Sequence, residues 1–218
     1  MNEEVIVAKG LTKMYRRGSE EIYALKRVSF AITEGEFAAI VGPSGSGKTT
    51  LLNLLGCLDT PTRGSLKLNG IEVSSLKEKE LVRLRRENIG FVFQQFFLLP
   101  TLTVRENIEL PLLFSKKNDG KGKLDEVIRL IGLEARAEHL PNQLSGGEMQ
   151  RVAIGRALIN KPKIILADEP TGNLDTVTAR KIFDLFRDLN DQGLTLIVVT
   201  HNMDLAKMAR KIICLIDG

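Results

Sequence analysis

The sequence contains two cysteines, Cys57 and Cys214, and no CxxC pair. No thiolate metal cluster is expected, and the chain suits a reducing compartment. No apolar run approaches the ~18 residues that span a membrane. The most apolar stretch, Ile89 to Leu99, is cut by Gln94 and Gln95. The start, Asn2-Glu3-Glu4, lacks a basic segment followed by an apolar one, so no secretory leader is expected. Internal repeats, low-complexity tracts, long linkers and heptad tracts are missing as well. The charge excess is small, 31 Lys and Arg against 27 Asp and Glu, and the basic residues are scattered. That reads as a solvated surface, and no nucleic-acid partner is expected. A soluble protein is predicted, one that needs a partner if it works at a membrane.

With 218 residues, 43% apolar and 27% charged, there is ample chain for one core. Short apolar runs alternate with helical periods, the pattern of an α/β fold with a mainly parallel sheet. Predicted buried strands are Phe37–Val41, Gly90–Phe93, Ile164–Ala167, Thr195–Thr200 and Ile212–Ile216. Helices are predicted after Gly47, near Glu78, Val104, Leu124 and Gly146, and after Asp175. Val5–Val7 and Leu25–Ile32 read as antiparallel strands, and about 97–143 reads as a helical lobe. Lys77–Arg86 mixes basic and acidic residues at helical spacing and is expected to be a solvated helix face.

Three motifs carry chemistry. Gly42-Pro43-Ser44-Gly45-Ser46-Gly47-Lys48-Thr49 follows an apolar strand and opens a helical run, the context of a phosphate-binding P-loop. Glycines let the backbone wrap phosphates, and the helix N-terminus attracts anions. Lys48 can reach the β- and γ-phosphates, and the Thr49 hydroxyl can ligate Mg²⁺. Ile164-Ile165-Leu166-Ala167-Asp168-Glu169 is an apolar strand ending in two carboxylates. Asp168 would hold Mg²⁺ through water, and Glu169 would polarise the attacking water. Leu144-Ser145-Gly146-Gly147-Glu148 precedes a helical run, with Ser145 as N-cap, and forms a second anion site at a helix N-terminus.

With these motifs in this order, the sequence resembles the ABC ATPase family over essentially its whole length. The resemblance implies one ATPase domain over 1–218: a P-loop NTPase core with an N-terminal antiparallel β subdomain in about 1–96 and 144–218, and a helical subdomain in about 97–143. It assigns ATP binding to Tyr15, stacked on adenine, and to Gly42 through Thr50 (Thr50 included). Gln94 would touch Mg²⁺ and the attacking water, with Thr49 and Asp168 as the other metal contacts. His201, just after the strand Thr195–Thr200, would sense the γ-phosphate. Asn173-Leu174-Asp175 would cross a dimer interface, and Leu144–Glu148 would bind the ATP of the partner subunit. ATP and Mg²⁺ are the implied cofactors, and an ATP-dependent homodimer is the implied assembly. One departure stands out: the motif ends in Glu148 where the family most often has Gln, which places an extra negative charge near the triphosphate.

Finer segments narrow the resemblance. Gly56-Cys57-Leu58-Asp59, Gly90 through Gln95 and Glu106-Asn107-Ile108-Glu109-Leu110-Pro111 resemble the macrolide-export, lipoprotein-release and cell-division group. That implies a membrane permease docking near Gln94–Leu99, on the cytoplasmic face. Phe91 and Phe93 alternate on a strand and are expected in the core, whereas Phe96, Phe97, Leu98 and Leu99 are expected on a surface loop. An amino-acid importer subunit is the nearest alternative; a nucleic-acid-directed ABC ATPase and a small-molecule kinase are weaker ones. The chain stops at Asp217-Gly218, and a short further tail is expected.

Overall fold

Strict alternation of inward side chains sorts the strands onto two faces of one sheet. In the computed structural model, which describes residues 3–114 and 120–216, five strands run parallel: β3 (Phe37–Val41), β6 (Ile89–Phe93), β7 (Ile164–Asp168), β8 (Thr195–Val199) and β9 (Lys211–Cys214). Their spatial order is β6-β7-β8-β3-β9. Ile164, Leu166, Ile197 and Val199 enter one buried cluster, while Ile165, Ala167, Leu196 and Val198 enter another on the opposite face. Burial on both faces explains why β3, β7 and β8 read as unbroken apolar runs, whereas the edge strand β9, expected to be buried, leaves Ile212 exposed.

The first face packs on α1 (Lys48–Leu55), which buries Leu51, Leu52, Leu54 and Leu55. Over α1 lies an antiparallel sheet, in the order β2-β1-β4-β5, made of β1 (Glu4–Arg17), β2 (Glu20–Thr33), β4 (Arg63–Leu68) and β5 (Ile71–Glu72). Its inward Ile6, Leu11, Leu25, Ile32, Leu66 and Leu68 are fully buried. The hairpin β1–β2 is far longer than the two short strands predicted, and register shifts kink it near Leu11. Bulged, charge-bearing strands of this kind dilute the alternation on which a strand forecast depends.

The second face packs on α5 (Gly146–Leu158) and α6 (Thr176–Asp191), where Phe183, Phe186 and Leu189 close the core. α2 (Glu78–Asn88) comes before β6, and between β6 and β7 the chain forms α3 (Val104–Glu109) and α4 (Gly120–Leu130) ahead of α5. Val104, Ile108, Leu124, Val127, Ile128 and Ile131 form a third cluster that includes Val152 and Ile159 from the region of α5. α5 is thus shared between sheet and helices. A short α7 (Met203–Ala206) precedes β9. Asp217 and Gly218, after which the sequence predicts a tail, lie outside the described residues.

Two expectations need correction. Phe91 and Phe93 are only half-buried: Phe91 packs against the first buried cluster, and the two rings stack at 5.6 Å. The Lys77–Arg86 face is not simply solvated. Arg85 donates to the Cys57 carbonyl at 2.6 Å, and Arg86 to the Phe114 carbonyl at 3.0 Å.

Phe186 is fully buried on α6. Phe186→Ala is expected to cost about 3–5 kcal/mol of stability, read from the midpoint of a denaturant unfolding curve.

Candidate functional site

β3 ends at Val41, and the chain turns at once into the loop that opens α1. Gly47 is the N-cap of α1 with φ +94°, a left-handed conformation that favours glycine. A Cβ there would strike the Ala24 carbonyl. A Cβ at Gly42 would strike the Leu215 carbonyl and come within 2.7 Å of Ser46 Oγ. The loop is therefore wedged between β2 and the segment after β9. The Lys48 ammonium donates to the Gly42 and Pro43 carbonyls at 2.9 and 2.8 Å.

The α1 N-terminus stands apart electrostatically. It has no side-chain cap and no acidic residue in its first turn. α3, α5, α6 and α7 are instead capped by Thr103, Ser145, Asp175 and Asn202. An uncapped N-terminus leaves backbone donors and a positive dipole end for an anion. Ser46 Oγ is buried in the same loop without a hydrogen-bond partner.

A pocket of about 330 Å³ joins this loop to the acidic strand end. Ser44, Gly45, Gly47, Lys48, Thr49, Thr50, Asp168 and Glu169 all line it. Burial, followed by the negative charge of Glu169, raises the Asp168 carboxyl above its ordinary value, and Lys48 offsets part of that. Two adjacent carboxylates in a half-buried setting favour a cation between them and a phosphate. Among the described residues no three His, Cys, Asp or Glu side chains cluster for a metal. A divalent ion here would draw on hydroxyl, carboxylate and phosphate oxygens, which suits Mg²⁺ better than a softer metal.

Glu169 itself sits at φ +44°. His201 Nδ1 lies 2.9 Å from its Oε1, and the His201 N–H donates to Oε2 at 3.3 Å. Glu169 and His201 thus meet, a pairing that the sequence alone did not specify. Gln94 does not line the pocket. Its amide donates to Asn173 Oδ1 at 3.1 Å, and Asn173 Nδ2 donates back to the Gln94 carbonyl at 3.0 Å. Sequence reasoning named both residues but not this reciprocal pair.

Leu144–Glu148 forms the start of α5. Ser145 and Glu148 make a capping box: the Ser145 N–H and hydroxyl donate to Glu148 Oε2 at 2.7 and 2.8 Å, and the Glu148 N–H donates to Ser145 Oγ at 3.3 Å. Arg136 Nε lies 3.5 Å from Glu148 Oε1. The hydrogen bonds from Ser145, backbone first, hold the Glu148 carboxyl below its ordinary value of 4.5. The departure at Glu148 therefore has a structural contact. Gly146 packs toward Leu174, and Gly147 is buried against Thr178, so the motif abuts the Asn173–Asp175 turn. Asp175 caps α6 by accepting from the N–H groups of Val177 and Thr178, both at 3.0 Å.

Tyr15, near the end of β1, is 41% exposed, and its hydroxyl donates to Asp59 Oδ2 at 2.9 Å. Tyr23 lies opposite Met14 on β2.

A phosphate loop and an acidic strand end on one rim of a parallel sheet define a P-loop nucleotide-binding protein. Residues 25–172 match the ABC transporter family, and the chain belongs to that family as an ATP-binding ATPase. It is 52% identical to the ABC transporter ATP-binding protein MJ0796 of Methanocaldococcus jannaschii, over 98% of this chain and 94% of that protein. It is 49% identical to the macrolide export ATP-binding/permease protein MacB of Bdellovibrio bacteriovorus, over 98% of this chain but 33% of that longer protein. A dimeric structure of MJ0796 in a post-hydrolysis state bound to ADP and Pi superposes with a TM-score of 0.89 at 50% identity, covering 98% of this chain and 95% of that one. The fold is that of an ABC ATPase.

Ser145→Ala removes the cap of α5 and is expected to cost about 1 kcal/mol. The Glu148 part of the box depends on its charge. Because its pKa is lower in the folded chain, its stabilisation is present above pH 4.5 and is lost as pH falls through the lowered value. The stability gap between wild type and Glu148→Ala should therefore narrow on acidification below pH 4.5, as followed by thermal unfolding across a pH series.

Proposed function

We propose that the chain is the ATPase subunit of an export or mechanotransmission complex, and that it works as a homodimer closing around two Mg-ATP. The observation that carries this reading is the pocket in which Lys48, Thr49, Asp168 and Glu169 face the uncapped start of α1. None of Leu144–Glu148 lines that pocket among the described residues. The chain thus presents two separate phosphate-binding features, which suits a site completed by a second copy. The dimeric state of MJ0796 with ADP and Pi supports the same assembly.

In this reading the helix N-terminus and loop amides bind the triphosphate, and Lys48 leaves its carbonyl partners to reach the terminal phosphates. Bound Mg²⁺, held by Thr49 and Asp168 with Gln94, would neutralise charge on the phosphate oxygens. Glu169 takes the proton of the attacking water, and His201 orients its carboxylate. Gln94 exchanges its Asn173 partner for the nucleotide side, which ties catalysis to the dimer-facing turn Asn173-Leu174-Asp175. Tyr15 stacks on the adenine. We read 1–218 as one ATPase domain in which about 97–143 forms the helical arm.

No described helix is long and apolar enough to cross a membrane. A membrane permease is proposed to dock on the cytoplasmic face near Gln94–Leu99. Phe97 is 60% exposed there, held at φ +47° with its carbonyl accepting from Arg156 at 2.6 Å. Beside it lies a groove of about 660 Å³ lined by Phe91, Phe93, Pro111 and Phe114. Exposed apolar surface of this kind marks an interaction site. The MacB relatives, whose names join ATP-binding and permease functions, favour the export type over an amino-acid importer.

Glu169→Gln is expected to bind ATP, slow phosphate release by about 10²- to 10⁴-fold and accumulate as an ATP-loaded dimer in light scattering. Turnover at the wild-type rate would remove Glu169 from the role of base. Phe97→Asp is expected to keep ATP affinity but lose co-purification with the permease. Undiminished association would place the docking surface elsewhere.

A further inference from the structure

Beyond α1 the chain turns through Gly56 and Cys57, the latter at φ +54°, and returns Asp59 to β1. There Asp59 becomes the hub of a small polar cluster. Its Oδ1 lies 2.5 Å from the Lys13 ammonium and accepts the Thr60 N–H at 2.7 Å, while Oδ2 accepts the Tyr15 hydroxyl at 2.9 Å. Lys13 also donates to the Thr60 carbonyl at 2.8 Å. Thr62 reinforces the clamp, its N–H donating to the Thr12 carbonyl at 2.8 Å and its hydroxyl accepting from the Met14 N–H at 3.1 Å.

The geometry acts on the ring of Tyr15. An aromatic side chain left 41% exposed can swing about its two side-chain torsions. Here the far tip is tethered to a carboxylate, and charge-assisted bonds are the stronger ones. One face is occupied as well, because the Lys13 ammonium sits 5.0 Å from the ring centroid. The opposite face is the one left for a planar base. Protonation states agree with this arrangement. Burial, then the Asp59 hydrogen bond, keeps Tyr15 above its ordinary value, so it stays a donor. Burial pushes Asp59 up, but Lys13, Thr60 and Tyr15 outweigh it and leave the carboxyl below its ordinary value.

We propose that Asp59 is a positioning residue for the nucleobase: through the Tyr15 hydroxyl and through Lys13 it fixes the plane and the open face of the ring on which adenine stacks. The inference rests on the reading of Tyr15 as the adenine platform. It also gives the Gly56–Asp59 segment a role in the site, since the same turn links β1 to the end of the phosphate-loop helix.

Equilibrium titrations of the whole chain with ATP and with inorganic tripolyphosphate separate the possibilities. Tyr15→Ala should lose ATP affinity about tenfold, the worth of one base–aromatic stack. Asp59→Asn and Tyr15→Phe should each lose about fivefold, and the double variant little more, because both cut the same tether. Tripolyphosphate, which has no base, should bind all variants like wild type. Wild-type ATP affinity in Tyr15→Phe and Asp59→Asn, alongside a weakened Tyr15→Ala, overturns the role of Asp59 alone. Wild-type affinity in Tyr15→Ala overturns the platform reading beneath it. An equal loss for ATP and tripolyphosphate makes Asp59 a purely structural residue and also overturns the proposal. If Asp59→Asn does not fold, Tyr15→Phe carries the test, since it leaves the Lys13–Asp59 pair in place.

Discussion

At the carboxyl end of β7 the chain makes one bend that sets everything after it. Glu169 adopts a left-handed backbone, at a cost of about 1–2 kcal/mol for a non-glycine residue. The bend is over-determined. The Glu169 N–H donates to the Val199 carbonyl at 2.9 Å, its carbonyl accepts from Gly172 at 3.0 Å, and its carboxylate meets His201. From there Asn173 reaches Gln94, Leu174 approaches Gly146, and Asp175 starts α6. A few consecutive residues thereby join the phosphate pocket, the carboxamide of the β6 end and the start of α5. Strain held by many contacts is a common property of functional turns.

The two helix starts proposed to bind phosphate differ in kind. α1 opens with glycine and lysine and keeps its donors free. α5 opens with a serine and a glutamate that satisfy one another. The first is prepared for a strongly charged ligand. The second is stabilised internally, with Arg136 beside its glutamate, and any ligand meeting it must compete with that box. Glu148 therefore serves the start of its helix as well as adding a local charge.

Much of this could be read from the sequence, for identifiable reasons. β3, β7 and β8 are apolar on both faces, so their runs stand out, and each ends where chemistry begins. The starts of α3, α5 and α6 were legible because Thr103, Ser145 and Asp175 are strong caps. β4 was not, because a short strand that is half polar and begins with Arg63-Gly64 resembles a loop. Relations across long separations were also hidden. Tyr15 and Asp59 are 44 positions apart, and Gln94 and Asn173 are 79 apart. No local periodicity encodes such pairs; they exist only once strand order and loop bends are set. The half-buried stack of Phe91 on Phe93 follows from strand β6 lying at the sheet edge, where one side lacks a neighbour.

The position of β3 has a consequence for how the molecule comes into being. Its two neighbours are β8 and β9, from 195–199 and 211–214, and the wall against Gly42 is the Leu215 carbonyl. On the ribosome, chains emerge N-terminus first. The residues that form the phosphate loop leave the exit tunnel early and must wait until residues 195–214 have emerged before their flanking strands exist. Nucleotide affinity in the nascent chain is therefore gated by β8 and β9, and a transcript cut short before β9 yields a chain that has the loop sequence without the Leu215 wall against it.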